Sequence, residues 1–159
     1  MKKYEFTGET KEIRLLFRTA TLHRIRATVA FGIVEVGDLG GWIEKEENLS
    51  HEGKAWVWGN AEVWGNAKVC GDAEVFSASH VLVIGAIGSR NDFTTFYRDK
   101  DNEITVKCGC FLGKIDRFLE KVTQTHGDSK YALVYRAAVE VAKLQIDLSG
   151  EAPKDADEE

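Results

Sequence analysis

A six-residue repeat in the middle of the chain constrains its fold more than any other feature. Between residues 55 and 88, an aliphatic residue recurs every six positions: Val57, Val63, Val69, Val75, Val81 and Ile87. The first four are each preceded two residues earlier by alanine and followed two residues later by Gly or Ser. A period of six fits neither a helix nor a simple hairpin strand. It favours short flat strands joined by tight corners, each strand pointing one aliphatic and one small residue inward.

The corners of this repeat are Gly-Asn or Gly-Asp dipeptides, which supply the positive φ that tight corners need. The motif resembles the hexapeptide repeat of left-handed parallel β-helices, in which three hexads make one triangular coil. The resemblance implies coils of about eighteen residues, each rising by roughly 4.8 Å. Aliphatic residues one coil apart are then expected to stack: Val57 under Val75, Val63 under Val81, and Val69 under Ile87.

The segments on either side of the repeat predict additional β structure and two helices. We expect an N-terminal β unit over residues 1–38, the β-helix over 39–92, a hairpin with two helices over 93–148, and an acidic disordered tail over 149–159. The predicted fold is therefore mainly β with a C-terminal α+β unit. A short left-handed parallel β-helix is flanked by the N-terminal β unit and by the C-terminal hairpin plus two helices.

The C-terminal unit is predicted from hydrophobic spacing. Candidate strands at Phe93–Arg98 and Ile104–Cys108 form the hairpin. Apolar residues spaced at i, i+3, i+4 and i+7 predict the first helix. The second helix carries an apolar stripe that a second set of residues widens, and we expect it to be buried over this broad face. The stripe is Val134, Ala137, Val141, Leu144 and Leu148, and the widening residues are Tyr131, Tyr135, Ala138 and Ala142.

Composition and charge limit the classes of partner. The 159-residue chain has no apolar run of the ~18 residues that span a membrane, and its first ten residues have no apolar signal-peptide core. We therefore expect a cytoplasmic protein with no membrane partner. Residues 150–159 contribute −4 of the net charge of −5. The nearly neutral remainder makes binding to nucleic acid unlikely.

A cluster of basic residues lies in the first β unit. Residues 11–26 hold five Lys or Arg side chains and one acid, Glu12. Arg24 and Arg26 project from the same face of a strand. They form either a solvated strand face or an anion site for phosphate or carboxylate. With Arg98, and with Tyr97 beside it as a stacking ring, they are the predicted ligand-binding residues.

Several aromatic side chains of the repeat are expected to point outward. Trp58 and Phe76 lie one coil apart and should stack, while Trp56 and Trp64 also face out of the predicted coil. Tryptophans so close together in a short coil are unlikely to face bulk water. They contact another subunit, are covered by the flanking segments, or form a ligand platform. Because trimers are usual in the resembling family, we predict a homotrimer with these four residues at the interface.

The sequence offers weak candidates for catalysis or metal binding. The related carbonic anhydrases bind zinc through three histidines, whereas the repeat region holds only His51 and His80. His80 is either a general base or a histidine exposed on a strand without a catalytic role. Cys108, Cys110 and His126 lack a fourth ligand and the usual zinc spacing. Cys110 near a helix start has no evident base. We predict no catalytic residue, no metal and no cofactor.

The chain as a whole resembles small phage and prophage proteins, most of which are uncharacterised. The resemblance rests on TLHRIRA at 21–27, GDLGGWIEKEENLS at 37–50, the hexads, TTFYRDKDNEITVKCGCFLGKIDRF at 94–118 and THGD at 125–128. It implies a phage-encoded protein acting in the host cytoplasm, and it brings little function with it.

Three classes of function follow. The first is a non-catalytic, phage-derived oligomeric binding protein that holds a small anionic ligand or a host protein. By analogy of origin, it would be a counter-defence protein that sequesters a nucleotide-like immune signal. The alternatives are a hexapeptide-type acyltransferase and a structural protein of the phage particle.

Overall fold

The structure, a computed structural model, describes residues 2–149 and is mainly β with two C-terminal helices. The predicted acidic tail lies outside the described residues, apart from Ser149. The strands are β1 (Tyr4–Arg14), β2 (Thr19–Ala27), β3 (Leu39–Ile43), β4 (Trp56–Val57), β5 (Glu62–Val63), β6 (Glu74–Val75), β7 (Val81–Ile87), β8 (Asp92–Arg98), β9 (Ile104–Cys108) and β10 (Phe111–Lys114). The helices are α1 (Ile115–His126) and α2 (Lys130–Gln145), with short 3-10 turns at Glu46–Asn48 and Ala78–His80.

The N-terminal β unit is a long antiparallel hairpin that continues into the repeat region. β1 pairs with β2, β2 pairs antiparallel with β3, and β3 pairs parallel with β5. The hairpin turns where Leu15 N donates to Arg18 O at 2.8 Å. Two apolar side chains at this tip, Leu16 and Phe17, are 88% and 94% exposed. The hairpin therefore contributes one apolar face to the core and leaves an apolar tip outside it.

The repeat region returns beside itself in parallel, as the six-residue period predicts. Three pairs define this arrangement: Ile43 with Val63, Leu49 with Val69, and Val57 with Val75. The partners are 20, 20 and 18 residues apart. We call residues 39–57 the first pass and residues 61–75 the second pass. The predicted pairing of Val57 with Val75 is confirmed.

The alternation of alanine and valine fills the space between the passes. Each of these side chains is at most 3% exposed: Ala55, Val57, Ala61, Val63, Ala67, Val69, Ala73 and Val75. The corner glycines at 59, 65 and 71 have φ of 55°, 65° and 64°. Only glycine adopts this left-handed region without cost, so the predicted corners are confirmed. The repeat thus encodes both the core and its corners.

The parallel arrangement does not continue beyond the second pass. β7, which holds Val81 and Ile87, pairs antiparallel with β8 in a second sheet of order β10-β9-β8-β7. Ile87 packs in the core of this second sheet, whereas Val69 belongs to the first core. The predicted stacking of Val69 under Ile87 is therefore wrong. After the last of the glycine corners, β7 forms a longer strand that pairs with β8, and the six-residue repeat no longer determines the backbone geometry.

The second core lies between this sheet and the two helices. The predicted strands at Phe93–Arg98 and Ile104–Cys108 are present as β8 and β9, and β10 leads directly into α1. Phe96 and Val106 of the sheet are fully buried against the helices. Phe118 of α1 makes edge contacts with Phe96 and with Tyr135 of α2, at ring-centre distances of 6.4 and 5.6 Å.

The buried face of α2 is narrower than the broad face that the sequence predicts. The helix buries Ala132, Tyr135, Ala138, Val139 and Ala142, and three of these were expected on that face: Tyr135, Ala138 and Ala142. Val141 and Leu144, also expected there, are instead 47% and 89% exposed. Both sides of α2 carry apolar residues, so spacing alone predicted too wide a buried face. The buried side is the one that carries Tyr135, whose ring packs in the second core.

Hydrogen bonds fasten the second sheet to the second pass. Lys68 N donates to Thr95 Oγ1 at 3.1 Å, and Lys100 N donates to Asp72 O at 3.0 Å. His80, expected to be exposed, is buried between the two cores, and its Nδ1 accepts from Phe76 N at 3.0 Å. Burial, and then the charge of Arg98, lower the pKa of His80. The histidine is therefore a structural acceptor at the junction.

Within residues 2–149, no helix is long and apolar enough to cross a membrane.

Candidate functional site

The arginine pair predicted to bind an anion is engaged within its own chain. Arg26 Nη2 donates to Glu5 Oε1 at 2.7 Å, across the hairpin of β1 and β2. Arg24 Nε donates to Gly40 O at 3.2 Å, and its guanidinium lies 5.6 Å from the centre of the Trp42 ring. These contacts favour the alternative interpretation, in which the pair belongs to a strand face stabilised by local contacts.

Tyr97 and Arg98, the other predicted ligand-binding residues, are buried in packing. Tyr97 is fully buried in the first core, with its hydroxyl 3.6 Å from Cys70 Sγ, and burial raises the pKa of this hydroxyl. Arg98 is 7% exposed, lies 5.4 Å from the centre of the Phe76 ring, and donates to Asn102 Oδ1 at 2.8 Å. The burial of both side chains gives no support to their predicted binding role.

The predicted interface tryptophans are largely covered by the chain itself. Trp56 is 1% exposed and packs edge-on against Tyr4 and Phe31, at ring-centre distances of 6.3 and 5.3 Å. Covering by a flanking segment, one of the three alternatives, therefore holds for Trp56. Trp58 is half-buried and stacks on Phe76, as the sequence predicts. The N-terminal segment covers Trp56, so this residue is not available for the predicted subunit interface.

Trp64 lies on an apolar groove of about 250 Å³ beside the second pass. Val81, Val83 and Phe93 of the second sheet form the opposite wall. No Lys or Arg is among the residues that line this groove in the described part of the chain. Its chemistry suits an apolar contact and does not suit an anion.

A second cleft, of about 270 Å³, brings together side chains from both sheet hairpins and both helices. It opens between the loop that joins β7 and β8, the turn that joins β9 and β10, and the facing sides of α1 and α2. Its lining residues carry cationic, hydroxyl, thiol, imidazole and aromatic groups: Ser89, Arg90, Asp92, Cys108, Gly109, Cys110, Phe111, Phe118, Lys121, Val122, Thr125, His126 and Tyr135. We call it the helix cleft.

Tyr135 joins the floor of the helix cleft to the loop above it. Gly88, with φ of 79°, lies so close that an added Cβ would sit 1.9 Å from the Tyr135 hydroxyl oxygen. Burial, and then the neighbouring Cys108, raise the pKa of Tyr135. The hydroxyl therefore stays protonated, as a hydrogen-bond donor, well above neutral pH. Cys108 in turn accepts from Thr94 Oγ1 at 3.4 Å.

Aromatic rings make up much of the cleft wall. Phe111 packs on Phe118 with ring centres 5.4 Å apart, and Phe118 meets Tyr135 edge-on at 5.6 Å. His126 stacks on Tyr135 at 5.8 Å with the planes inclined by 26°. The floor can therefore receive a flat ring, and the imidazole and phenol supply polar atoms at its edge.

Positive charge predominates at the rim. Arg90 and Lys121 are both exposed, and neither is within ion-pair distance of a carboxylate among the described residues. Of the residues described there, Asp92 alone brings a carboxylate, and its Oδ1 accepts from Phe93 N at 2.7 Å. Arg90 and Lys121, together with the hydroxyl donors of the lining, favour binding of an anion in the cleft.

The cleft also holds the residues considered as metal ligands or nucleophile. Cys108, Cys110 and His126 all line it. Within residues 2–149, no three His, Cys, Asp or Glu side chains form a group that could hold a metal ion. No hydrogen bond joins Cys110 to His126 in the described part of the chain, so the structure contains no pre-formed nucleophile–base pair there. The thiols act here as polarizable wall groups.

The helix cleft was not predicted because its residues are scattered over positions 89–135. The spacing of residues along the sequence does not show that a hairpin loop, a two-residue turn and two helices come together in the folded chain. The CGC turn and THGD both belong to stretches that the sequence analysis singled out. Those stretches contribute Cys108, Cys110, Thr125 and His126 to one wall.

No protein-family model matches this sequence, and a comparison with curated proteins finds no match.

Proposed function

We propose that this protein is a non-catalytic binding protein whose ligand is a small anion carrying a flat ring, held in the helix cleft. One observation supports this above all others. Two cations that have no ion-pair partner among residues 2–149, Arg90 and Lys121, lie at the rim of a cleft whose floor is aromatic. A nucleotide-like molecule combines the same two properties, a phosphate and a base.

The charges of the cleft favour the phosphate end of such a ligand. A charged hydrogen bond is worth roughly 1.5–3 kcal/mol, so two cationic donors are sufficient for micromolar affinity when packing assists them. Ser89 and Thr125 add hydroxyl groups to the same lining. Asp92 lies among them and would repel a ligand of high negative charge. We therefore favour a monophosphate or cyclic phosphate over a triphosphate.

The floor favours the ring end of the ligand. Aromatic side chains stack on bases at roughly 1–3 kcal/mol per base, with little preference for sequence. Phe111 and His126 are each only half-buried, so part of each ring remains open to the cleft. Tyr135 would donate its hydroxyl to a ring acceptor.

The biological role that we propose for this cleft follows the sequence resemblance. In a phage-derived chain acting in the host cytoplasm, a cleft of this kind would sequester a nucleotide-like immune signal. Capture of a host protein is the alternative, and the apolar groove beside Trp64 is where such a partner would contact the chain.

We also propose that the two passes are coils of a left-handed parallel β-helix. Three parallel pairings at 18 to 20 residues and the inward alanines and valines support this. An experimental structure that traces the chain from residue 39 to residue 75 would decide the handedness.

Calorimetry with inorganic phosphate, ribose 5-phosphate, AMP and 3′,5′-cyclic AMP tests the ligand. We expect one of the two nucleotides to bind at micromolar concentration and phosphate alone to bind much more weakly. Arg90→Ala and Lys121→Ala should each weaken binding about tenfold, the loss of one charged hydrogen bond. Arg24→Ala is the matched control, because that arginine lies outside the helix cleft.

Two results would reject the site. If none of the four probes binds at 500 μM, the small-ligand function is wrong and a protein partner takes its place. If a nucleotide binds but Arg24→Ala weakens it while Arg90→Ala does not, the ligand site lies on the N-terminal sheet.

A further inference from the structure

The outer face of α2 carries an apolar stripe that no other part of the described chain covers. Leu133, Val141 and Leu144 are 60%, 47% and 89% exposed, and the exposed Ala137 lies between them. Their spacings of four, four and three residues place them along one side of the helix. The opposite side of α2 is buried in the second core, so this helix is apolar on both faces.

The stripe is complementary to itself in the antiparallel direction. If two α2 helices cross with Leu133 of one opposite Leu144 of the other, the two-fold axis repeats this contact at the far end. The same register brings Ala137 against Val141 near the centre. A small residue there permits the close approach that helix packing requires, roughly 8–10 Å between axes.

Residues of opposite charge are also brought together by this antiparallel register. In the antiparallel arrangement Glu140 of one helix comes beside Arg136 of the other, and the symmetry makes this contact twice. Within one chain, Arg136 Nη2 donates to Gly127 O at 3.0 Å, while its Nη1 lies 3.8 Å from a carboxylate oxygen of the fully exposed Asp128. Glu140 has a long ion pair with Lys143 at 3.6 Å. Arg136 Nη2 also donates to Thr123 Oγ1 at 3.3 Å, so Nη1 is the guanidinium nitrogen that can pair with Glu140 of a second copy. The antiparallel macrodipoles also attract.

We propose that α2 is a self-association surface, on which a second copy of this chain docks by antiparallel α2–α2 packing about a two-fold axis. The helix has 16 residues and is about 24 Å long. One helix against its copy is a small contact, so we expect a weak dimer that forms as the concentration rises and dissociates on dilution. The homotrimer expected from the tryptophans loses its main support, since Trp56 is covered within the chain.

Light scattering coupled to size exclusion, between 2 and 200 μM loading, tests the assembly. We expect the wild type to approach twice the mass of one chain at the upper concentration. The double variant Leu133→Glu/Leu144→Glu should remain monomeric, with the dimer dissociation constant raised at least tenfold. Both side chains are exposed, so the monomer should keep its thermal stability.

The tip of the N-terminal hairpin supplies a matched control. Leu16→Glu/Phe17→Glu changes two apolar residues that are 88% and 94% exposed, far from α2 in sequence, and should leave the dimer intact. Glu140→Arg should weaken the dimer, and Arg136→Glu added to it should restore association. A wild type that is monomeric at 200 μM, or a trimer, overturns the inference. So does a dimer that the hairpin variant abolishes and the helix variant leaves unchanged.

Discussion

Trp58 and Phe76, which directly follow the first and the second pass of the chain, stack on each other with ring centres 5.5 Å apart and planes inclined by 11°. The guanidinium of Arg98 lies over the same Phe76 ring at 5.4 Å. Phe76 therefore links the first pass to the second sheet through its ring. Because the two aromatic residues follow different passes, their contact reports directly on the parallel arrangement.

A double-mutant cycle measures that contact. Trp58→Leu and Phe76→Leu should each reduce the free energy of unfolding, and their coupling should be about 0.5–1.5 kcal/mol, the usual value for a stacked aromatic pair. Chemical denaturation of the four proteins supplies the numbers. Trp58→Leu combined with Val122→Ala in the second core should be additive within about 0.5 kcal/mol. Zero coupling between Trp58 and Phe76 would refute the stacking.

The second prediction concerns the narrow space between the passes. Ala67 is 3% exposed in the first core, so Ala67→Leu should overpack it and cost about 1–3 kcal/mol. The melting temperature and the denaturation midpoint should both fall. Ala78→Leu is the control, because Ala78 is exposed just beyond the second pass. Equal stability of the Ala67→Leu protein and the wild type would mean that residue 67 does not point inward.

The third prediction tests the loop above the helix cleft. A Cβ at Gly88 would meet the Tyr135 hydroxyl at 1.9 Å, and φ there is 79°. Gly109 also has positive φ, 56°, but an added Cβ would have no neighbour within 4 Å. Gly109→Ala should therefore cost about 1 kcal/mol of backbone strain. Gly88→Ala should cost more and displace Tyr135.

Nucleotide binding and thermal unfolding separate these effects. Gly88→Ala should impair both more strongly than Gly109→Ala, because Gly109 also lines the helix cleft but an added Cβ there would meet no neighbour. Tyr135→Phe added to Gly88→Ala should recover part of the stability because it removes the closest atom. Equal costs for the two alanine substitutions would show that the loop does not rest on Tyr135.

The fourth prediction is a pH dependence from Lys3. Burial lowers the pKa of this ammonium to about 8, although its Nζ donates to Ala55 O at 2.7 Å. Between that value and 10.5, its ordinary value, the unfolded chain binds more protons than the folded one. The free energy of unfolding should therefore rise with pH from about 8 towards 10, by up to about 1.4 kcal/mol per pH unit from this group.

Urea denaturation at pH 7.5, 8.5 and 9.5 checks this slope against Lys3→Met. In the variant, the free energy of unfolding should not show this increase with pH, whatever its value at pH 7.5. Tyr4, whose pKa burial raises, opposes the trend only above pH 10, where an unfolded tyrosine ionises. Parallel curves for wild type and variant would mean that Lys3 stays charged in the folded protein.

The sequence predicted those parts of the fold that depend on a local period. The six-residue spacing identified Val57 opposite Val75 and the positive-φ corners, because each valine and glycine has a fixed place in a repeating unit. It was less exact where two sides of a helix have the same local pattern. Both sides of α2 are apolar, so the sequence predicted a broad buried face, whereas the structure buries the side on which Tyr135 packs against Phe118.

The site was harder to predict than the fold because the role of each side chain depends on the groups that surround it in the folded chain. Arg24 and Arg26 were prominent in the sequence, but their partners, Glu5 and Gly40, come from other strands. Arg90 attracted no attention, although the fold leaves it unpaired beside Lys121. Pairing of this kind depends on the tertiary structure.

The two hydrogen bonds that fasten the second sheet to the second pass constrain how proteins built this way can change in length. They start from different stretches of that pass, Lys68 N to Thr95 Oγ1 and Lys100 N to Asp72 O. If the two passes are coils of the proposed β-helix, duplication of one whole return of 18 residues, the distance from Val57 to Val75, keeps each stretch on its own side of the coil. On the same premise, insertion of one six-residue unit ahead of the second pass moves both stretches to the neighbouring side, so both bonds are lost. We therefore expect viable relatives of altered length to differ by whole returns.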